Sequence, residues 1–158
     1  KYAEGPVLAG LGYLNVTDDN SAVAGNQRAN ATLVYAGYDL GAAKVIAYMD
    51  NETGKVAAAT AGAKRLSVYG VKAVVPVSAE LTVSAGVSKA KNIAGSKTGN
   101  DDAVITAVKA NYKLSKRTSV YGLATLVNNE SGATVGMLAP TSGDKLAGGV
   151  AFGVAHAF

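Results

Sequence analysis

Three observations in the 158-residue sequence predict an all-β fold, a transmembrane antiparallel up-and-down β-barrel. Stretches whose side chains alternate with a period of two recur along the chain, the joins between them alternate between long and short, and the last stretch ends on an aromatic residue. In that last stretch the larger side chains fall on one face of a strand and Gly or Ala on the other. The larger residues are Val150, Phe152, Val154, His156 and Phe158.

The composition favours strands over helices and argues against a soluble core. The hydrophobic fraction of 49% is mostly Ala and Val, with no Trp, 2 Phe and 19 Gly, so few bulky side chains are present to fill a close-packed interior. No run approaches the ~18 apolar residues of a transmembrane helix, whereas the strands of a membrane barrel need only ~9–11 residues each. The first residues show no basic and then apolar signal peptide, so we expect mature or internal sequence if the protein is exported.

The period of two gives eight predicted strands and the joins between them. The strands are roughly 6–16, 28–38, 43–51, 64–75, 80–90, 103–114, 118–128 and 147–158. The long joins are 17–27, 52–63, 91–102 and 129–146, and the short turns lie at 39–42, 76–79 and 115–117. This strict alternation predicts a meander with one ragged and one trimmed end, as in outer-membrane barrels. A soluble β-sandwich has no reason to keep that order.

In most of the predicted strands the two side-chain parities differ in chemistry, one apolar and the other polar or charged. Val108, for example, has the opposite parity to Lys109, and Tyr35 has the opposite parity to Arg28. One face therefore suits hydrocarbon, and the other is predicted to line a water-filled interior. The predicted lining residues are Arg28, Lys44, Asp50, Lys72, Glu80, Lys109, Asn111 and Lys113.

The apolar face carries residues that indicate depth in a membrane. Tyr112, His156 and Phe158 share the apolar parity at the short-turn end, where a girdle of amphipathic rings is expected at the membrane surface. Tyrosines packed against a soluble sheet are the alternative. Lys89 breaks the pattern by sharing parity with Val87, but near the outer end of its strand a long stem can reach charged headgroups.

Several short motifs resemble a known family. The segment Leu114-Ser115-Lys116-Arg117-Thr118-Ser119-Val120-Tyr121 is similar to the periplasmic turn before the penultimate strand in the Gram-negative general porins of beta-proteobacteria. The weaker matches are the ending His156-Ala157-Phe158, the turn Tyr38-Asp39-Leu40-Gly41-Ala42-Ala43-Lys44, and Glu4-Gly5-Pro6 before a strand with Tyr13.

The resemblance covers the whole chain, 1–158, as a single barrel segment, the C-terminal half of such a porin. It implies a sixteen-stranded, homotrimeric barrel in the outer membrane, in contact with lipid and lipopolysaccharide, whose water-filled channel passes small anionic or polar solutes. In that family the loop that narrows the pore, and most arginines of the constriction, belong to the N-terminal half.

Eight strands could also close by themselves into a small barrel with a structural or lipid-interacting role. The interior of such a barrel is filled by its own side chains. The predicted lining has 5 bases against 2 acids, and burying unpaired charges in a dry interior is costly. A water-filled lumen keeps these charges solvated, so we favour half of a wide pore, with a soluble β-sandwich binding module third. The excess of bases predicts a preference for anions.

No catalytic residue, cofactor, metal site or nucleic-acid partner is predicted. Cys is absent, which excludes thiolate chemistry. His156 is the single histidine and lies two residues from the end on the apolar parity, so neither a catalytic triad nor a histidine metal site is favoured. Lys and Arg are spread along the chain instead of clustering with aromatics. The adjacent Asp101 and Asp102 are expected to be solvated loop charges.

Overall fold

The computed structural model describes residues 2–18, 27–53, 66–93, 100–136 and 146–158. These residues form nine strands in one antiparallel sheet, and each strand pairs with its neighbours in sequence. The strands are β1 (Tyr2–Glu4), β2 (Val7–Asp18), β3 (Gln27–Asp39), β4 (Lys44–Thr53), β5 (Leu66–Pro76), β6 (Leu81–Lys91), β7 (Ala103–Lys113), β8 (Thr118–Asn129) and β9 (Leu146–His156). Within this described part, no helix has the length and apolar composition that a membrane span requires.

The predicted alternation of long and short joins is confirmed, with one strand more than expected. β2 to β9 correspond to the eight predicted strands, and the additional β1 has only 3 residues, too few to show a period of two. Gly5 connects β1 to β2 with a φ of +54°, in the left-handed region that glycine favours. Much of each predicted long join, namely 19–26, 54–65, 94–99 and 137–145, lies outside the described residues.

The short turns are closed by side chains that accept hydrogen bonds from the turn backbone. Ser78 Oγ accepts from the Leu81 N–H at 3.0 Å, and Ser115 Oγ accepts from the Thr118 N–H at 3.1 Å. Asp39 Oδ1 accepts from the Gly41 N–H at 2.9 Å. Asp and Ser are favoured in turns because their oxygens satisfy nearby backbone donors. The strand ends that these turns connect form one end of the sheet, which we call the short-turn end. The strand ends that the long joins connect form the opposite end, the long-join end.

One face of the sheet is apolar across its full width, and we call it the apolar face. Its central row runs through Val7, Tyr38, Val45, Ala73, Ala85, Val108, Ala124 and Val150. Large side chains on this face are exposed, including Phe152 at 81% and Val154 at 69%. A contiguous exposed apolar surface of this kind requires lipid or protein to cover it.

The predicted parity holds for β4 to β7 and for β9, but it is wrong for β3. Val34 pairs with Met49 on the apolar face, whereas Leu33 pairs with Asp50 on the opposite face. Leu33 and Val34 are adjacent and both apolar, so the sequence of β3 alone does not show which of its residues lie on the apolar face. The pairing of β3 with β4 decides which residues lie there. Arg28 belongs to the same even-numbered series as Val34, so the register does not group it with the other predicted lining residues.

Candidate functional site

The face opposite the apolar face carries the charged residues, and we call it the polar face. The predicted lining residues of the strands other than Arg28 all lie on it, and Glu80 lies in the turn at its edge. The strand residues are Lys44, Asp50, Lys72, Lys109, Asn111 and Lys113. The register therefore brings six of the eight predicted residues onto one surface.

The lysines of the polar face occupy its short-turn half. Lys44 and Lys109 lie in one transverse row, linked through Val74 and Ser84. Lys113 lies four residues along β7 toward the short turns, and Lys72 lies one pleat toward the long joins. At 3.3–3.4 Å per residue, the three rows that these four lysines occupy extend over about 20 Å of strand.

Two acids of the polar face were missed by sequence analysis. Asp39 is predicted to lie in a turn, but it ends β3 and forms an ion pair with Lys44, with Oδ2 3.4 Å from Nζ. Glu52 falls beyond the predicted strand 43–51, but β4 continues to Thr53 and gives Glu52 the parity of Asp50. Asp50 and Glu52 lie at the long-join end. The described polar face is therefore basic in its short-turn half and acidic near the long joins.

Three tyrosines of the polar face lie over glycines of the neighbouring strand. The pairs are Tyr35 with Gly10, Tyr48 with Gly70, and Tyr121 with Gly153. A methyl group added to any of these glycines would overlap the tyrosine ring. Because these glycines have no side chain, they leave space for the tyrosine rings to lie flat against the polar face. These pairs could not be predicted from the sequence, because the partners are far apart in sequence and meet only through the register.

Lys109 is placed over one of these rings. Its Nζ lies 4.9 Å from the centroid of the Tyr121 ring, within the range of a cation–π contact. Tyr121 is half-buried and Lys109 is exposed on the polar face. The Lys109 ammonium is therefore held close to the polar face, in the row that Tyr121 shares with Asn111.

At the long-join end, the segment 130–136 folds over the polar face. Ala133 is fully buried against Ala103 and Val127, which lie on that face. Asn129, only 3% exposed, fixes this segment with two hydrogen bonds to Val135. Its Nδ2 donates to the Val135 carbonyl at 2.8 Å, and its Oδ1 accepts from the Val135 N–H at 3.1 Å. This small cluster is the apolar core of the described residues.

The join before β7 is anchored to the outer end of β6 by an ion pair. Lys89 Nζ lies 3.0 Å from Asp102 Oδ2, and the Asn92 N–H donates to Asp102 Oδ1 at 3.2 Å. Lys89 has the apolar parity, as predicted, but its charge is paired within the protein. The expectation of solvated charge is wrong for this acidic pair, because Asp101 is buried and Asp102 is ion-paired.

The Asp102 ion pair makes the anchoring of this join dependent on pH. Partial burial acts to raise the pKa of the Asp102 carboxyl, but hydrogen bonds from Lys89 and the Asn92 N–H outweigh it and hold the pKa below its ordinary value. A lowered folded-state pKa stabilises the protein above the unfolded pKa of about 4, and the stabilisation is lost as the pH falls through the lower folded value.

We expect Asp102→Asn to destabilise the protein at pH 7, with a difference from wild type that shrinks toward zero as the pH falls below about 4. Denaturant unfolding of both proteins in detergent at several pH values measures this difference. Glu130→Gln is the control, since the Glu130 side chain is exposed and, among the described residues, accepts a hydrogen bond from the Asp102 N–H at 3.3 Å without forming an ion pair with Lys89. A difference between Asp102→Asn and wild type that stays constant from pH 7 to pH 3 would contradict the expectation.

Of the three residues predicted to mark the barrel end, Tyr112 and His156 lie at the short-turn end of the apolar face, and Phe158 follows the end of β9. Tyr112 is exposed and shares a row with Val120 and Val154. The His156 ring packs edge-on against Phe158, with centroids 5.0 Å apart, and its Nδ1 lies 2.9 Å from Thr118 Oγ1. Among the described residues, no group of three or more His, Cys, Asp or Glu side chains is arranged to hold a metal ion.

Comparison with known proteins agrees with this architecture. Residues 1–132 match the sequence profile of the Gram-negative porin family. The fold is similar to the solved structure of an anion-selective porin from Comamonas acidovorans, with a TM-score of 0.76 and 21% sequence identity over 99% of this chain. The chain spans 47% of the length of that porin. No curated protein matches the sequence. Because the family profile covers most of the sequence, the chain belongs to the Gram-negative porin family.

Proposed function

We propose that this chain is the C-terminal half of an outer-membrane porin that forms a water-filled channel for small hydrophilic solutes and prefers anions. The chain spans 47% of the similar porin, and its described strands form an open sheet with β1 and β9 at the edges. An N-terminal half pairing with both edges would close a barrel of about twice this circumference. The open edges argue against a small barrel closed by these strands alone.

The apolar and polar faces support a membrane channel. In a barrel of this kind the apolar face contacts lipid and lipopolysaccharide or the neighbouring subunits of a homotrimer, and the polar face lines the lumen. The short-turn end is then periplasmic and the long-join end extracellular. Exposed charges such as Lys109 and Lys113 remain hydrated in a water-filled lumen, so they need no buried partners.

The observation that carries the anion preference is the group of four lysines in the short-turn half of the polar face. Lys44 is paired with Asp39, whereas Lys72 shares its row with no acid among the described residues, and Lys109 on β7 lies four strands away from Asp39 on β3, the acid of its row. Fixed positive charge on a narrow aqueous wall raises the local concentration of anions. Salt shortens the Debye length, to ~10 Å at 0.1 M, so the preference should be strongest in dilute salt.

Changing Lys109 and Lys113 together to Glu is expected to move the reversal potential in a salt gradient toward cation preference, most strongly at low salt, without loss of folding. The measurement uses the full-length protein in planar lipid bilayers. The Lys109→Gln, Lys113→Gln double variant is the matched control and should give an intermediate value. A wild-type channel that prefers cations at low salt, or a reversal potential that neither double variant moves, would contradict the proposal.

A further inference from the structure

The contact between Lys109 and Tyr121 joins two features of the polar face, the lysine group and the tyrosine–glycine pairs. Tyr121 pairs with Asn111, so its ring lies one pleat from Lys109 toward the short-turn end. The Lys109 ammonium therefore extends from β7 across to β8, toward the row of Asn111. Among the described residues, Lys109 is the one lysine found over an aromatic ring.

The Tyr121 ring is fixed in position by the strand on its other side. Tyr121 pairs with Gly153 of β9, and a Cβ on Gly153 would lie 2.5 Å from both Cζ and the hydroxyl oxygen of Tyr121. The ring can lie flat across β9 only because Gly153 has no side chain. Three consecutive strands, β7, β8 and β9, thus supply the lysine, the ring and the space under the ring.

We propose that Tyr121 is a positioning residue for ion selectivity, which holds the Lys109 ammonium against the polar face in the Asn111 row and so fixes its positive charge at one level of the lumen. This inference rests on the proposed anion-preferring channel. A lysine side chain has many rotamers, so without the ring the Lys109 ammonium is no longer held in that row. A cation–π contact at an exposed site favours the ring-bound position about two- to fivefold.

Tyr121→Leu should therefore reduce the anion-to-cation permeability ratio at low salt by up to about twofold, a shift within the range that the cation–π contact supports. Tyr121→Phe keeps the ring and should leave the ratio unchanged. Tyr48→Leu is the matched control, since it removes a ring over a glycine, Gly70, that has no lysine above it among the described residues. Tyr121→Met, which fills volume without a ring, is the second variant should Tyr121→Leu fail to fold, and must reproduce the reduced ratio.

The double variant Tyr121→Leu, Lys109→Gln distinguishes positioning from a general structural role. Once Lys109 is neutral, removal of the ring should produce no further change in the permeability ratio. An equal change with and without the Lys109 charge, or no change in Tyr121→Leu and Tyr121→Met, would overturn the positioning role. Failure of the proposed function looks different, because Lys109→Gln alone would then leave the ratio of the full-length channel unaltered.

Discussion

Replacing Gly70 with Val is expected to destabilise the folded protein by about 1–3 kcal/mol, the usual cost of forcing extra volume into a packed position. The new side chain would overlap the Tyr48 ring, which lies over Gly70 on the polar face. Either the Tyr48 ring must move away from the polar face, or the pairing of β4 with β5 must open. Denaturant unfolding of the protein in detergent or lipid vesicles measures the loss.

Gly12→Val is the control for this substitution. Gly12 also lies within a strand of the polar face, but a Cβ built there meets only Leu33 Cβ, at 3.8 Å, an ordinary contact. Adding Tyr48→Ala to Gly70→Val should recover part of the lost stability, because the overlapping ring is gone. Equal destabilisation by Val at both glycines, or no recovery in the double variant, would show that the ring is not the cause.

Asn129→Leu is expected to release the segment 130–136 from the polar face and to increase single-channel conductance. The substitution removes both hydrogen bonds to Val135 and leaves a backbone donor and acceptor without partners, which costs about 1–3 kcal/mol for a buried group. In the proposed barrel this segment covers part of the extracellular mouth. Conductance in planar bilayers and limited proteolysis of the segment both measure the release.

Asn128→Leu is the matched control, since Asn128 is exposed on the opposite face of β8 and contributes to neither bond. It should change neither conductance nor proteolysis. Asn129→Asp tests the two hydrogen bonds separately. The carboxylate still accepts from the Val135 N–H but no longer donates to the Val135 carbonyl. Unchanged proteolysis and conductance in Asn129→Leu would show that Ala133 and its apolar contacts alone hold the segment.

The strands are predictable from the sequence because short turns and a period of two are local signals. Eight strands and all three predicted short turns are found close to the expected positions. The predicted parity of β3 was wrong because Leu33 and Val34 are both apolar. The face on which each of them lies is decided by the pairing of β3 with β4. A local pattern cannot contain that information, since a shift of one residue exchanges the two faces.

The site was predicted in part for the same reason. Lys44, Lys72, Lys109 and Lys113 lie in strands with clear alternation, and parity alone grouped them. The tyrosine–glycine pairs and the contact between Lys109 and Tyr121 depend on which residues lie opposite one another across strands. That register follows from turn geometry and the lengths of the joins, so it appeared only in the structure.

The strict neighbour pairing of the strands makes the sheet extensible in units of one hairpin. The hairpin made of β7, the turn at 114–117 and β8 starts and finishes at the long-join end of the sheet. Among the described residues, every contact between strands is between neighbours in sequence. Duplicating or deleting such a unit leaves the orientation of all other strands, and the parity of the residues on their polar face, unchanged, provided the register is kept. In the proposed barrel, one in-frame duplication or deletion of such a unit would therefore change the circumference by two strands.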